Sequence, residues 1–420
     1  MRILYVSQYF PPEMGAPAGR AADLSRLWAD DGHEVTVLTG FPNHPTGVVP
    51  REYRSKFRRL VSREDLEGVN LVRTWLLPFP NRKAHERMLN YTSFCVSCAS
   101  TGLFLRRPDV VIASSPQLLV GLVGWWLAYC KRVPFVLEVR DLWPESLAAV
   151  GMGNGNSILH RTLAKIAGFL YRNAHRIVVV TPAFEDYLVE QWQVPREKIS
   201  VIEHGVQTDL FSPHESANNP IRQELAAGKK FVVSYIGTLG MAHGLETLVD
   251  AASRLQESAP QVLLVLVGEG AEKRRIMNLA RGLNNIKFID QQPRESIPDY
   301  IRASDACLVL LRKAELFKTV LPSKMLEFMS CARPLILGVD GHARRVMQQA
   351  NAGIFVEPEN SAKLANAILQ LSANLEWGRL LGRNGRRYAV QHYSRQRAAQ
   401  AYLHLLDGLL EADRAYVMAA

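Results

Sequence analysis

Cysteine is scarce in this chain of 420 residues: there are five, an odd number that excludes a disulfide scaffold and is typical of a reducing cytoplasm. Glycine (28) and proline (22) are at ordinary levels, which excludes collagen-like and low-complexity architectures. The N-terminal apolar run is too short for a signal peptide and is ended by Pro11 and Pro12. Because 48% of the residues are hydrophobic and 21% are charged, we expect a globular protein of two or three domains.

Long apolar segments are also missing. Met88–Leu105 and Val110–Cys130 contain no charged residue, but the first carries many polar side chains and the second is interrupted by Ser114, Ser115 and Pro116. The second segment therefore predicts a strand followed by a short apolar helix, below the ~20 residues that a membrane span needs.

Positive charge is concentrated in the first half of the chain. Of the formal net charge of +10, residues 1–180 carry 22 − 14 = +8 and residues 181–420 carry 28 − 26 = +2. The densest basic segment is REYRSKFRRLVSR (51–63). It is compatible with a solvated helix face, or with a surface that binds anionic lipid. Nucleic acid is disfavoured, since neither zinc-finger spacing nor an aromatic RNA-binding motif is present.

Strand-like and helix-like runs alternate from end to end, which predicts parallel sheets with crossover helices. About six strands in each half indicate two Rossmann-like, doubly wound α/β domains of similar size. The polar, proline-containing segment 203–220 marks the boundary. We expect one domain over residues 1–205, a second over 206–392, and a C-terminal helix over 393–420.

Glycine-bearing loops follow several of these strands, where open α/β sheets bind ligands. The loop after the first strand lacks GxGxxG, and no acidic residue follows the second strand, which argues against an NAD-dependent oxidoreductase. In the second half, Gly237, Gly240 and Gly244 precede a helix, and Gly268 opens a similar loop. Such loops suit an anion, although a tight strand–helix turn explains each of them equally well.

The segment VLPSKMLEFMSCARPLI (320–336) predicts a helix that begins just after Pro322. Lys324 and Glu327 then lie on one face of its first turns. A cation near a helix N-terminus is disfavoured by the dipole unless it meets an anion, such as a diphosphate. A surface Lys–Glu pair is the alternative.

Seven segments together resemble glycosyltransferase family 4, the retaining nucleotide-sugar transferases with the GT-B fold of two Rossmann-like domains facing across a cleft. They are QYFPPEMGAPAGR (8–20), GHEVTVLTGFPNHPTG (32–47), EVRDLWPES (138–146), EHGVQTDLF (203–211), GTLGMAHGLETL (237–248), LVGEG (266–270) and PSKMLEFMSCARPLI (322–336). The DLWP, FPNHP and PSKxxE elements are similar to one bacterial branch, which includes the L-fucosamine and colanic-acid transferases.

The resemblance implies a UDP-sugar donor held by the second domain and an acceptor held by the first, without a metal or other cofactor. The donor residues it implies are Gly237, Thr238, Gly240, His243, Gly268, Gln292, Thr319, Pro322, Ser323 and Glu327. The catalytic group is Lys324, Arg140 and Asp141, and the acceptor or sugar group is Glu13, Gly15, Arg20 and His44. In the family's usual mechanism the leaving phosphate takes the acceptor proton, so no protein nucleophile is implied.

Three departures from the family pattern bear on these roles. Thr319 stands where the family's first Glu is found, with Glu315 nearby but out of register. Thr238 and His243 replace the Arg and Lys that clasp the diphosphate, and Arg140 stands where many members have His. Lys324, which the common motif lacks, is our candidate for the missing positive charge.

For the branch, the resemblance implies transfer of a sugar such as N-acetyl-L-fucosamine to an undecaprenyl-diphosphate-linked saccharide, in O-antigen or exopolysaccharide biosynthesis. The enzyme would then be peripheral on the inner face of the bacterial inner membrane. The basic residues expected to contact anionic lipid are Arg51, Arg54, Lys56, Arg58 and Arg59. Two alternatives stay open: a UDP-sugar 2-epimerase of the same fold, and a non-catalytic partner in a polysaccharide assembly complex.

Overall fold

The chain divides into two compact units in the computed structural model, which describes residues 1–13, 15–44, 46–79, 84–146, 158–213 and 219–419. The first unit comprises Met1–Glu203 together with Gln396–Ala420, and the second comprises His204–Arg395. The end of the chain therefore belongs to the unit with which the chain begins.

Both units are built on largely parallel sheets, as the alternating sequence pattern predicts. The strands of the first unit are β1 (Arg2–Val6), β2 (Glu34–Gly40), β3 (Val61–Leu66), β4 (Val69–Thr74), β5 (Val110–Ser114), β6 (Phe135–Val139), β7 (Arg176–Val179) and β8 (Ile199–Val201). Those of the second unit are β9 (Phe231–Ile236), β10 (Val262–Val267), β11 (Ile286–Ile289), β12 (Ala306–Leu310), β13 (Leu335–Gly338) and β14 (Gly353–Phe355).

Helices connect these strands and cover the sheets. They are α1 (Ala16–Asp30), α2 (Arg54–Phe57), α3 (Ala84–Leu103), α4 (Leu119–Lys131), α5 (Ile158–Asn173), α6 (Pro182–Trp192), α7 (Pro220–Glu224), α8 (Glu246–Ser258), α9 (Lys273–Leu279), α10 (Ile297–Ala303), α11 (Ser323–Ser330), α12 (His342–Ala350), α13 (Ser361–Ala373), α14 (Leu375–His392) and α15 (Arg395–Ala419). Among the residues described, none of these helices combines the length and apolarity needed to cross a bilayer.

The strand orders place the switch points of both sheets. The first sheet runs β3-β4-β2-β1-β5-β6-β7-β8 and the second runs β11-β10-β9-β12-β13-β14. In each sheet the order reverses around the first parallel strand of the unit, β1 or β9. Ligands of open α/β sheets bind at the carboxyl ends of the strands at such points.

The first sheet departs from the expected arrangement at one edge. Residues 51–57 of the basic segment are helical, as one reading of the sequence predicts, but its last residues enter β3, which pairs antiparallel with β4. Glu67 (φ 52°) and Gly68 (φ 78°) form the two-residue turn between them, since both take the positive φ that such a hairpin turn requires. Charged side chains are tolerated in β3 because it is an edge strand and exposes one face to solvent.

The core of the first unit joins both ends of the chain. Trp28 of α1 packs edge-on against Tyr5 of β1 at 5.6 Å and against Tyr402 of α15 at 5.4 Å. The Trp28 indole N–H donates a hydrogen bond of 3.2 Å to the carbonyl of Ala399. The last helix therefore completes the hydrophobic core that the first strand begins.

Candidate active site

Two glycines shape the carboxyl ends of β9 and β10 in the second unit. Gly237 has φ 139° and Gly268 has φ 146°, backbone conformations that L side chains rarely adopt. A Cβ atom on Gly268 would lie 2.1 Å from the Gly237 carbonyl oxygen, and one on Gly237 would lie 2.8 Å from Lys324 Nζ. The glycines are therefore required for the close approach of the two loops and of the lysine.

The loop after β9 offers fewer amides to an anion than its sequence suggests. The Gly237 and Leu239 amides donate to the carbonyls of Val267 and Glu269. The amides of Thr238 and Gly240 have no protein acceptor in the described part of the chain. A 3₁₀ turn, Met241–His243, lies within this loop, and α8 begins two residues after Gly244, as the sequence predicts.

Lys324 lies in the first turn of α11 and points toward the end of β9. Its Nζ donates a 2.9 Å hydrogen bond to Tyr235 Oη and sits 4.0 Å from the centre of the Tyr235 ring. The tyrosine hydroxyl in turn donates to the Thr238 carbonyl at 2.7 Å. Burial lowers the pKa of Lys324 to about 7, while the nearby Glu327 acts in the opposite direction. The ammonium is held beside the Gly237 loop with few protein acceptors to satisfy it.

His243 lies in the same cluster and is uncharged. Its ring is 5.8 Å from that of Tyr235, and its Nδ1 is 3.2 Å from the Leu310 carbonyl oxygen. Burial, followed by the positive charge of Lys324, lowers the pKa of His243 to about 3. At neutral pH this side chain therefore cannot supply the charge of the lysine that the family has at this position.

The remaining donor candidates lie around the start of α11 and the end of β11. Pro322 and Ser323 form the N-terminal boundary of α11, and Glu327 follows on the helix. The Thr319 hydroxyl donates to the Leu316 carbonyl at 2.7 Å. Glu315, the acidic residue out of register, is exposed and pairs with Lys318 at 2.7 Å. Gln292 donates through Nε2 to the Asp290 carbonyl at 3.2 Å.

In the first unit, Glu13 and His44 lie together after β1 and β2. Glu13 Oε1 accepts hydrogen bonds of 2.9 Å from the backbone amides of Asn43 and His44. Glu13 Oε2 is buried without a hydrogen-bond partner among the described residues, and burial raises the pKa of this carboxyl to about 7. The His44 ring packs edge-on against Tyr9 at 5.3 Å. The nearby Gly15 is the N-cap of α1, with φ 131°.

Arg20 is fully buried and serves the interior of the first unit. Its Nε donates to Glu138 Oε1 at 2.8 Å, and its terminal nitrogens donate to the carbonyls of Ile202 and Glu203. These contacts do not support the expected role of Arg20 in binding a sugar. These buried contacts could not be predicted from the sequence, because the partners of Arg20 lie more than 100 residues away along the chain.

Glu138 is the buried residue that sequence reasoning missed. Its carboxylate accepts hydrogen bonds from Arg20, from Tyr402 Oη at 2.6 Å, from Tyr5 Oη at 3.1 Å and from the Ser114 hydroxyl. Burial raises the pKa of Glu138, but the charges of Arg20 and Arg140 and the hydrogen bonds from Ser114 and Tyr402 outweigh it and lower the pKa to about 2. A glutamate inside the apolar run FVLEV was the available signal.

Arg140 and Asp141 follow β6 directly. The Arg140 amide donates to Ser115 Oγ at 2.7 Å, and its Nε is buried without a partner in the described part of the chain. Burial lowers the pKa of Arg140 and raises that of Asp141 to about 6, while each opposes the shift of the other through its charge. Asp141 is therefore a carboxyl that changes protonation near neutral pH.

The site residues thus fall into two groups, one in each unit. Lys324, His243, Thr238 and Gly237 come together around Tyr235, whereas Glu13 and His44 come together at the end of the first sheet. Within the described residues, no three His, Cys, Asp or Glu side chains are grouped as metal ligands.

This arrangement, two α/β units with polar residues gathered at strand ends, defines a GT-B type enzyme. A glycosyl transferase 4-like domain matches residues 15–205, and a domain of the glycosyl transferases group 1 matches residues 217–388. The chain therefore belongs to the GT-B glycosyltransferases of family 4, and the expected fold, enzyme class and family are confirmed.

Three known proteins illustrate the similarity. WcaI of Escherichia coli K12, whose name assigns it to colanic acid biosynthesis as a glycosyl transferase, is 25% identical over 384 residues, 88% of this chain and 92% of WcaI. The sucrose-phosphate synthase of Thermosynechococcus elongatus shares the fold with a TM-score of 0.77 and 23% identity over 98% of this chain and 99% of that one. HepE of Anabaena, solved in complex with UDP-glucose, has a TM-score of 0.72 and 18% identity over 97% of this chain and 100% of its own.

Proposed function

We propose that this enzyme transfers a sugar from a UDP-sugar to a lipid-linked saccharide in cell-surface polysaccharide biosynthesis, with retention of anomeric configuration. The similarity to WcaI supports polysaccharide assembly. The shared fold with HepE, which was solved with UDP-glucose, supports a uridine donor. For the transferred sugar we propose an N-acetylated amino sugar such as N-acetyl-L-fucosamine, by resemblance to the L-fucosamine branch.

The observation that carries the proposal is the position of Lys324 Nζ, 2.9 Å from Tyr235 Oη and against the Gly237 loop. When the donor reacts, the bond between the anomeric carbon and the diphosphate oxygen breaks and negative charge grows on the leaving diphosphate. A preorganised cation in a site of low polarity stabilises that charge more strongly than water does. Lys324, together with the free amides of Thr238 and Gly240, would supply this stabilisation.

The remaining steps need no protein nucleophile. The acceptor hydroxyl oxygen bonds to the anomeric carbon on the face that the diphosphate leaves, and its proton passes to the departing phosphate oxygen. The products are the glycosylated acceptor and UDP. In this scheme Glu327 accepts hydrogen bonds from the ribose hydroxyls, and Glu13 and His44 contact the sugar or the acceptor. We further propose that no metal takes part.

We also propose that the enzyme is a peripheral protein that binds anionic lipid on the inner face of the bacterial inner membrane. Arg51, Arg54, Arg58 and Arg59 are exposed, as membrane contacts must be. Lys56 contributes less, since it is partly buried and its Nζ lies 3.0 Å from Glu64.

Product analysis tests the proposal. The enzyme is incubated with a panel of UDP-sugars and a polyprenyl-diphosphate-linked saccharide, with and without a chelator, and the products are identified by mass spectrometry and NMR. We expect a longer saccharide with the anomeric configuration of the donor, and equal rates with chelator. A free epimerised UDP-sugar would instead identify an epimerase, and UDP binding without turnover would indicate a non-catalytic partner.

Glu327→Ala provides the accompanying variant. Loss of hydrogen bonds between a carboxylate and the ribose costs about 1.5–3 kcal/mol, so we expect activity to fall by at least about tenfold. Glu315→Ala is the matched control, because Glu315 is exposed and pairs with Lys318 alone among described residues. Equal activity of folded Glu327→Ala and the control would overturn the role of Glu327.

A further inference from the structure

An apolar groove runs along α3 in the first unit, beside the β3–β4 hairpin. Its volume is about 530 Å³, within the range of ligand pockets. The apolar side chains that line it are Leu60, Val61, Trp75, Leu77, Leu89 and Val96. Small hydroxyl residues of α3 complete the wall. Val96 is 73% exposed, Leu60 57% and Leu89 47%, so the groove presents several apolar side chains to its surroundings.

The length of the groove suits an extended hydrocarbon chain. It follows α3 from Leu89 to Thr101, which at about 1.5 Å per residue is roughly 18 Å. That is close to the ~15 Å thickness of one leaflet of a bilayer's hydrocarbon core. A compact ligand would leave most of this length uncovered, whereas a single long chain would cover it.

Two exposed arginines lie at the end of the groove where β3 begins. Val61 pairs with Thr74 at the carboxyl end of β4, so the start of β3 lies at the edge of the sheet where ligands bind. Arg58 and Arg59 immediately precede this point, are exposed, and have no acidic partner among the described residues. Two acidic residues of the hairpin do not neutralise these arginines: Glu64 is paired with Lys56 and Arg73, and Asp65 pairs in register with Asn70, toward the opposite edge.

The wall of the groove is also continuous with the polar residues near Glu13. The Leu77 amide donates a hydrogen bond of 2.9 Å to Ser93 Oγ, and the Leu77 carbonyl accepts one of 2.7 Å from Asn90 Nδ2. Asn90 also donates to Asn43 Oδ1 at 3.1 Å, and the Asn43 amide donates to Glu13. A chain lying in the groove would therefore bring its headgroup to the strand ends that carry Glu13.

We propose that this groove binds the hydrocarbon chain of the phosphate-bearing lipid that carries the acceptor, with the phosphate against Arg58 and Arg59. The inference rests on the proposed function, which it deepens by assigning the lipid part of the acceptor to its own site. The saccharide attached to the phosphate is then held at the carboxyl edge of the first sheet, and the chain is withdrawn from the bilayer along α3.

Trp75 provides a direct probe of binding, since it lines the groove. A long-chain alkyl phosphate brominated along its chain is added to the full-length enzyme below its micelle concentration, without UDP-sugar. We expect quenching of tryptophan fluorescence that is lost in Trp75→Phe. The brominated alcohol without phosphate should bind about tenfold more weakly, because it cannot pair with the arginines. Equal quenching by both compounds, or quenching unchanged in Trp75→Phe, would overturn the proposal.

Val96→Glu and Val390→Glu form the matched pair of variants. Both valines are exposed on helices, but Val390 lies on α14 of the second unit. A carboxylate in the groove opposes both an apolar chain and a phosphate, so Val96→Glu should weaken quenching about tenfold or more while Val390→Glu leaves it unchanged. Equal quenching by the two variants would overturn the groove as the binding site.

Failure of this inference is distinguishable from failure of the proposed function, because turnover is measured separately with a saccharide acceptor on a short water-soluble alkyl chain. Turnover with no lipid binding in the groove would refute the inference and leave the transferase. Lipid binding without turnover of any UDP-sugar would refute the transferase and leave the groove as a lipid site.

Discussion

At the scale of single residues, we propose that Lys324 compensates for changes at two other positions. The family's usual phosphate-binding Arg and Lys are replaced by Thr238 and by His243, whose pKa of about 3 keeps it neutral. Lys324 Nζ lies beside the Gly237 loop that carries Thr238, on the neighbouring helix α11. In this proposal the charge near the diphosphate comes from a different element of the second unit.

Substitution of Lys324 separates transition-state stabilisation from binding. Lys324→Ala should lower kcat by about 10²-fold or more, and weaken UDP-sugar binding by less, because charge on the leaving group grows during the reaction. Steady-state kinetics and equilibrium titration measure the two effects. Lys318→Ala is the control, since Lys318 is a lysine exposed on the preceding 3₁₀ turn. Weaker UDP-sugar binding with an unchanged kcat would mean that the lysine only binds the ground state.

The low pKa of Lys324 has a measurable effect on donor binding. With a pKa of about 7, the amine is mostly neutral at pH 8, and a bound diphosphate favours its charged form. We expect UDP binding to take up close to one proton at pH 8, and UDP affinity to fall as pH rises from 7 to 9. Calorimetry in buffers of different ionisation enthalpy measures the uptake.

The matching control for this titration is Lys324→Ala, which retains the ionisation of UDP itself but lacks the amine. Proton uptake at pH 8 should disappear in this variant. If the variant takes up as many protons as the unchanged enzyme, another group is responsible, and Glu13 and Asp141, whose pKa values are also near neutral, are the next to test.

At the scale of elements, α15 is fixed to the first unit through a buried carboxylate. Tyr402→Phe removes one hydrogen bond to Glu138 and leaves the ring in place. The expected loss is about 1–3 kcal/mol of unfolding free energy. Thermal unfolding measures it, with Tyr129→Phe as control because Tyr129 is 69% exposed. Equal melting temperatures for the two variants would show that the hydroxyl contributes nothing.

Some strands can be predicted from their own sequence, and others cannot. Strands such as β9 and β10 are continuous apolar runs, buried on both faces, and the sequence predicts them correctly. β3 reads VSREDL, with charged residues on an exposed edge, and only its pairing with β4 makes it a strand. Whether such a segment forms a strand is decided by the strand it pairs with, which the local sequence does not contain.

The candidate site shows the same division. Lys324 and Glu327 were predicted from their spacing, and the structure places both on α11. The pairing of Arg20 with Glu138 was missed because the contact between them spans 118 residues of sequence. A buried ion pair is apparent from sequence only when both partners are already placed in the fold.

At the scale of the whole molecule, the excess positive charge predicts how the enzyme meets a membrane. Replacing Arg51, Arg54, Lys56, Arg58 and Arg59 together by Glu should abolish co-sedimentation with anionic liposomes, since each basic residue near such a surface contributes about 1 kcal/mol. Binding by the unchanged enzyme should require anionic lipid and decrease with salt.

A charge-matched variant distinguishes the effect of this basic surface on membrane binding from the effect of net charge. The same five-residue reversal is made on exposed arginines of the second unit, Arg254, Arg281, Arg345, Arg383 and Arg387. This variant should still bind. Equal loss of binding in both would mean that only the overall charge matters, and binding to neutral vesicles at high salt would indicate apolar insertion instead.

The return of α15 to the first unit also bears on the order in which the protein is made. The 192 residues of the second unit, His204–Arg395, are contiguous, whereas the first unit needs Tyr402 to complete its core. At about 5–20 residues per second, a ribosome takes roughly 10–40 s to pass from the end of the first segment to the start of α15. During that interval Trp28 and Glu138 lack their hydrogen bonds to α15. The part of the chain that is synthesised first is thus the last to be finished.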